Sequence, residues 1–270
     1  MTGSTGPRRP RRTPVLLVLL ALAAAPAPAR ATWSIVAVDR ATRAVGVAGA
    51  SCYPRTEEIA RVVPGRGAVA AQSMVNVDGR ERAAARLREG LRPDAILAEL
   101  RDRRFDGWRL PLHRLRQYGI ASLDAPAASY TGAWALPWAG AAQGDGVAVQ
   151  GNLLRGPQVV RATLAAFAAS AAACGAPAPA RSEAPPACCA LAERLLRALE
   201  AGAAAGGDRR CSVEQTARSA VLLVARPGDP DDAPTLRLVA PEQDGDARNP
   251  VARLREAYER WRAVHPEPGC

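Results

Sequence analysis

Two short, almost unbroken apolar runs near the start of this chain constrain its fold more than any other feature: WSIVAVD (33–39) and AVGVAGA (44–50), joined by the turn DRATR. A strand with one wet face alternates apolar and polar residues. These runs barely alternate, so both faces of each strand need cover, and the hairpin they predict needs a layer above and a layer below it. A third strand is predicted over Gly67–Val75. A helix over 79–89 follows, stopped by Gly90, and a second opens at Pro93 with Ile96, Leu97 and Leu100 on one side. Strands are predicted at Gln117–Ser122, Ala128–Thr131 and Val147–Asn152.

A second pair of helices comes next. One opens at Pro157 and carries Val160, Leu164, Phe167 and Ala171 on a single stripe. The other, over 187–201, sets Leu191, Leu195 and Leu199 on one face and pairs Glu193 with Arg197 one turn on. Strands at Ser219–Arg226 and Thr235–Val239 precede a helix over 250–264 whose apolar face is Val251, Leu254, Tyr258 and Trp261. Pairs of helices between runs of strands predict an α+β protein in which sheets stack on each other with helices outside, a four-layer αββα sandwich. A plain α+β domain is the alternative.

The first 31 residues read as an export leader. Arg8, Arg9, Arg11 and Arg12 precede the apolar run VLLVLLALAAA (15–25), and Ala29-Arg30-Ala31 is a small-x-small cleavage signal. The run falls well short of the ~20 residues of a membrane span, and no cysteine stands at the cut to take a lipid. The expectation is a periplasmic or secreted protein without a stable membrane anchor. Its domain would cover 32–245, with a C-terminal helix and tail over 246–270. The chain has 36 basic and 26 acidic residues. Removing the five arginines of the leader leaves a net charge of +5 in place of +10, with Arg mixed among Asp and Glu, which argues against a nucleic-acid partner. All six cysteines lie beyond the leader. An even count in an exported chain predicts disulfides, with many pairings open, among them a staple local to the Ala/Pro-rich stretch 174–189. Their spacings do not suit a zinc site, and no cofactor is expected.

Several chemistries are excluded. The chain contains no lysine, which removes Schiff bases and Ser–Lys dyads. Its histidines are His113 and His265, and no G-x-S-x-G elbow, H-E-x-x-H or G-x-G-x-x-G motif occurs. A redox role would call for a reactive thiol, and no C-x-x-C is present. One nucleophile needs neither His nor Lys: a threonine at a chain terminus, whose own α-amine serves as base. Cleavage after Ala31 would make Thr32 such a residue; cleavage after Ala29 would not.

The segments TWSIVAVD, GVAGAS, GAVAAQSMVN, RQYGIAS, TGAWALPWAG, VAVQGNLL and LAERLLRALEAGAAAGGDRR resemble, in that order, the DUF1028 family, over about residues 32–225. The family is regarded as distantly related to the N-terminal-nucleophile (Ntn) hydrolases. The resemblance therefore implies an αββα sandwich of the Ntn type and an amide hydrolase acting on a small amide or peptide. It implies Thr32 as nucleophile and Asn152, in the Gln-Gly-Asn segment with Gln150 and Gly151, as the amide that stabilises an oxyanion. Ser51 matches the serine ending the second strand, and Gln72 and Asn76 match the polar pair after the third. Asp208 and Arg209 match a Gly-Gly-Asp-basic segment placed to orient the amine or hold a substrate carboxylate. A non-catalytic secreted binding or surface protein that keeps the fold is the alternative, and self-association into a homo-oligomer is open. The chain departs from the family pattern at VDGR after Asn76, at Cys52-Tyr53-Pro54 after Ser51, and at RCSVEQTARS after Arg209.

N-terminal sequencing of the exported protein is expected to read Thr32 first. A chain that starts at Arg30 would keep the Thr32 nitrogen in a peptide bond and leave it no amine to use as a base.

Overall fold

The hairpin predicted at the start of the chain lies at the centre of the larger of two sheets. A computed structural model describes residues 32–106, 110–175, 190–243 and 245–265. The expected leader and the 174–189 staple fall wholly or largely outside them. Ten strands and five helices are described, in the order β1 (Thr32–Asp39), β2 (Ala44–Ser51), β3 (Ala60–Val63), β4 (Gly67–Ser73), α1 (Val77–Arg88), α2 (Pro93–Leu100), β5 (Arg116–Ser122), β6 (Ala128–Thr131), β7 (Gly140–Gly144), β8 (Val147–Asn152), α3 (Pro157–Gly175), α4 (Leu191–Ala204), β9 (Ser219–Ala225), β10 (Leu236–Ala240) and α5 (Pro250–Val264). The six-stranded sheet runs β10-β9-β2-β1-β8-β7 and the four-stranded sheet β3-β4-β5-β6. Every strand pair is antiparallel. The protein is thus a mixed α+β fold built on two antiparallel sheets.

The strands sort their side chains by period two. On β1, Trp33, Ile35 and Ala37 pack with Val160 and Phe167 of α3, Leu195 and Leu199 of α4, and Leu254 and Tyr258 of α5. The alternate residues Val36 and Val38 face the other way, with Val45, Val47, Val221 and Leu223, against Ala68 and Ala70 of β4 and Ala121 of β5. The outer face of the smaller sheet, Val69, Tyr118 and Ile120, packs on Leu87 of α1 and on Ile96 and Leu100 of α2. Each sheet is therefore buried by the other on one side and by helices on its outer side. That is why the runs of β1 and β2 do not alternate.

Most elements lie where the pattern predicts them, and the differences have local causes. The two unpredicted strands, β3 and β7, are sheet edges. β3 has four residues, and β7 is GAAQG, too small and too exposed to carry a hydrophobic signal. α1 begins at Val77 because Asn76 caps it, its Oδ1 accepting from Gly79 N at 3.0 Å. Gly90 ends the helix at φ 84°, where a side chain would be strained. Of the predicted α3 stripe, Val160 and Phe167 are buried and Leu164 is half-buried.

α4 and α5 are joined by charge as well as by packing. The Glu193 carboxylate, 4% exposed, accepts from Arg255 Nη1 at 2.6 Å and from Arg197 one turn along, as predicted. Arg255 also grips Glu200 with two bonds of 2.8 and 2.9 Å. Burial pushes the Glu193 carboxyl up, but the bonds from Arg255 and Arg197 outweigh it and hold the group below its ordinary value of 4.5. A carboxylate with a lowered folded value contributes stability above its unfolded value and loses it as pH falls through the folded one. The urea midpoint is therefore expected to fall as pH drops below 4.5, and Glu193→Gln should flatten that acid limb. An unchanged acid limb in the variant would show that the carboxylate contributes nothing.

Candidate functional site

The layer between the sheets is apolar at one end and polar at the other. On β1 the inward residues Val36 and Val38 give way to Ser34 and Thr32. On β8, Gln150 and Asn152 stand opposite Ser34 and Thr32 in the ladder. Across the gap, Gln72 of β4 is paired with Gln117 of β5. Thr32, Ser34, Ser51, Gln72, Gln117, Gln150 and Asn152 are all at most 1% exposed. Polar groups so deeply buried must find partners in the protein.

They find them mostly in one another. Gln72 Nε2 donates to Thr32 O at 3.1 Å and to Gln117 Oε1 at 2.8 Å, while its Oε1 accepts from Ser34 Oγ at 2.6 Å. Gln117 Oε1 also accepts from Asn152 Nδ2 at 3.2 Å, and Gln117 Nε2 donates to Gly151 O at 2.9 Å and to Thr131 Oγ1 at 2.8 Å. Gln150 Nε2 donates to Ser34 O at 3.3 Å and to Ser34 Oγ. The Gln150 amide fits only because position 119 is glycine, since a Cβ there would overlap it. Gln150 Oε1 is buried without a hydrogen-bond partner among the described residues.

Thr32 begins β1 beside the end of β2, and its Oγ1 donates to Ser51 Oγ at 3.1 Å. Ser51 Oγ also accepts from Tyr53 N at 3.0 Å. The loop after Ser51 is held from two sides. Ser219, opposite Ser51 in the β2–β9 ladder, donates from Oγ to Tyr53 O at 2.6 Å and accepts from Thr56 N at 3.1 Å. Asp208, wholly buried, accepts from Cys52 N through Oδ2 at 2.7 Å. A disulfide joins Cys52 to Cys211, 159 residues away, with Cα atoms 5.9 Å apart. It links two of the three segments that depart from the family pattern and so couples those two.

Two predicted residues take other roles. Asn76 belongs to the helix side of the smaller sheet: besides capping α1, it donates from Nδ2 to Tyr118 OH at 3.3 Å. Tyr118 faces α1 and α2, where burial pushes its phenol up to about 12 against the opposing bond from Asn76. Arg209 is exposed, and its main-chain N donates to Leu153 O at 3.1 Å. The arginine on Asp208 is Arg210, through Nη2 to Oδ2 at 2.8 Å and through Nε to Oδ1 at 3.2 Å. Asp208 therefore anchors Cys52, next to Ser51, and makes no hydrogen bond to Thr32. Of the histidines, His265 stacks on Trp261 at 4.8 Å, on α5, and His113 lies in the turn before β5.

Ser34 and Gln117 are the site residues that sequence reasoning missed. A signal for Ser34 existed: it lies two residues from Thr32 in a strand, and so on the same face. Among the described residues no group of three or more His, Cys, Asp or Glu could hold a metal, and no helix is long and apolar enough to cross a membrane.

Facing antiparallel sheets with a buried array of hydroxyls and amides at one end of the interlayer define a mixed α+β protein with a polar inter-sheet site. The sequence profile described as "Family of unknown function (DUF1028)" matches residues 32–254, and the chain belongs to that family. Among solved structures it is similar to the crystal structure of protein SPO2555 from Silicibacter pomeroyi, of the same family, at TM-score 0.66 and 24% identity over 86% of this chain and 89% of that one. At that identity the likeness speaks for the fold alone. No curated protein matches the chain.

Gln117→Leu would leave buried groups of Gln72, Asn152 and Gly151 short of a partner. A loss of about 2 kcal/mol or more is expected in urea unfolding. Asn76→Ala should cost about 1 kcal/mol, as the loss of a helix cap does. Equal costs would mean that the inter-sheet amides are not coupled.

Proposed function

We propose that the protein is an exported amide hydrolase of the N-terminal-nucleophile type, activated when removal of residues 1–31 frees the amine of Thr32. The observation that carries this reading is the Thr32 hydroxyl itself. It is buried at the start of a central strand, bonded to Ser51 Oγ at 3.1 Å, and paired across the ladder with Asn152. The disposition of the helices outside two facing sheets supports the Ntn αββα type, and family membership supports the carry-over of Thr32 and Asn152.

In this reaction the free α-amine, with an ordinary value of about 7.7–8.0, takes the hydroxyl proton directly or by way of Ser51. Thr32 Oγ then bonds to the amide carbon. The carbonyl oxygen becomes an oxyanion and is met by Asn152 Nδ2, which has two hydrogens and gives one of them to Gln117. Such a donor is worth about 3–4 kcal/mol in related chemistry. Collapse breaks the C–N bond, and the ammonium of Thr32 protonates the leaving amine. Water, deprotonated by the same amine, then cleaves the ester and restores the hydroxyl. Asp208, the Cys52–Cys211 bridge and Ser219 hold the Ser51 loop in place and are positioning elements in this scheme.

The alternative, a non-catalytic secreted protein, draws on the same network. Gln72 directs its N–H groups to Gln117 Oε1 and a main-chain carbonyl, and Gln117 directs its own to Thr131 Oγ1 and main-chain carbonyls, which is what a purely structural core would do.

The two readings separate on the processed chain. A β-lactone that acylates hydroxyl nucleophiles is expected to add one adduct to Thr32 in the wild type and none in Thr32→Ala, by intact mass and peptide mapping. Against a panel of anilide substrates, Thr32→Ser should keep part of the turnover and Thr32→Ala should fall to background, with kcat/KM rising through about pH 8 as the amine loses its proton. Equal turnover by the wild type and Thr32→Ala would overturn the assignment.

A further inference from the structure

A cavity of about 800 Å³ lies where the end of α2, the turn over 112–115 and the end of β6 meet. That volume is in the range of small-molecule sites. Arg101, His113, Arg114, Tyr130 and Thr131 line it, together with Asp102.

The arginines make this more than a surface dent. Arg101 lies over the Tyr130 ring at 4.9 Å and Arg114 over the Trp134 ring at 5.2 Å. Neither guanidinium has a carboxylate within ion-pair reach among the described residues, whereas many other arginines of this chain have one. Of the acidic groups nearby, one is paired with an arginine and the other is held by a main-chain N–H. Asp106 is buried and bound through both oxygens by Arg116, at 2.8 and 3.1 Å. Asp102 accepts from Arg104 N at 2.8 Å. His113 Nδ1 is buried with no hydrogen-bond partner among the described residues. A guanidinium over an aromatic ring and without a carboxylate partner keeps N–H groups to offer, and a carboxylate matches them.

The cavity is also tied to the polar cluster. Thr131 forms part of its wall and accepts from Gln117 Nε2 at 2.8 Å, and the same Gln117 accepts from Asn152 and from Gln72, which holds Thr32 O. One side-chain amide thus separates the cavity wall from the residues assigned to the reaction.

We propose that this cavity binds a free carboxylate of the substrate through Arg101 and Arg114, so that the amides cleaved are those carrying an acid group, N-acyl amino acids in chemical class. The carboxylate site stands on the cavity alone; its assignment to an amide substrate rests on the Thr32 reading.

Calorimetric titration of the processed chain with N-acetylglutamate tests it. The wild type should bind, and the double variant Arg101→Gln/Arg114→Gln should bind about tenfold more weakly or worse. Thr32→Ala should bind like the wild type, and the uncharged diamide of N-acetylglutamate should bind about tenfold more weakly or worse. Both arginines are exposed, so circular dichroism is expected to show the variants folded. No saturable binding by the wild type, full retention in the double variant, or binding of inorganic phosphate in place of the carboxylate would each overturn the proposal. Binding that depends on the arginines, without any Thr32-dependent turnover, would sink the Thr32 reading and leave the carboxylate site standing. Turnover indifferent to both arginines would leave the Thr32 reading standing and sink the assignment of the cavity to its substrate.

Discussion

A side-chain amide buried between two sheets has no water to turn to, and Gln72 of β4 meets that constraint by bonding to both sheets at once. Its Nε2 reaches Thr32 O on β1 and Gln117 on β5, and its Oε1 takes the Ser34 hydroxyl. Each such bond contributes only about 1 kcal/mol net, but leaving one unmade costs about 1–3 kcal/mol. The polar end of the interlayer therefore tolerates one alignment of the sheets. The apolar end, lined by Val36, Val45, Val47 and the alanines of β4, supplies most of the non-directional burial and tolerates many alignments. Division of labour between the two ends places Thr32, Ser51 and Asn152 together.

Around that registered end, the chain has placed its strongest local restraints on one short loop. Cys52 follows Ser51 directly and is tied down by a disulfide and by the wholly buried Asp208. Arg210 neutralises Asp208 through both oxygens, so the carboxylate is paired as well as hydrogen-bonded, which is the condition for burying a charge. The effect reaches Ser51 Oγ, whose position relative to Thr32 depends on where that loop sits.

Likeness in fold at 24% identity to SPO2555 shows how little of this architecture depends on particular side chains. Strands buried on both faces need apolar volume and a period of two, and many residues satisfy that. The inter-sheet amides are different in kind, because each is useful only with its partner. Gln117 is the clearest case. It bonds to β4 and β8 and to Thr131 at the cavity wall, and so joins the proposed reaction residues to the proposed substrate site.

Periodicity and capping in the sequence alone determined the hairpin of β1 and β2, the strand β8, the faces of α4 and α5, and the start of α2 at Pro93. All of these are local, set by which neighbours a residue has within one turn or one pleat. The tertiary structure alone decided the rest. It recruited β3 and β7 as edges although their own residues carry little signal. It turned Asn76 to cap a helix on the far side of a sheet, and it chose Arg210 over its neighbour Arg209 by the direction of the backbone at Asp208. It also brought Cys211 back to Cys52 and set Gln117 beside Gln72 and Asn152. Local pattern reports which face a side chain takes, whereas its partner is set by how distant strands register, and that is settled only when the buried amides and hydroxyls of both sheets find partners together.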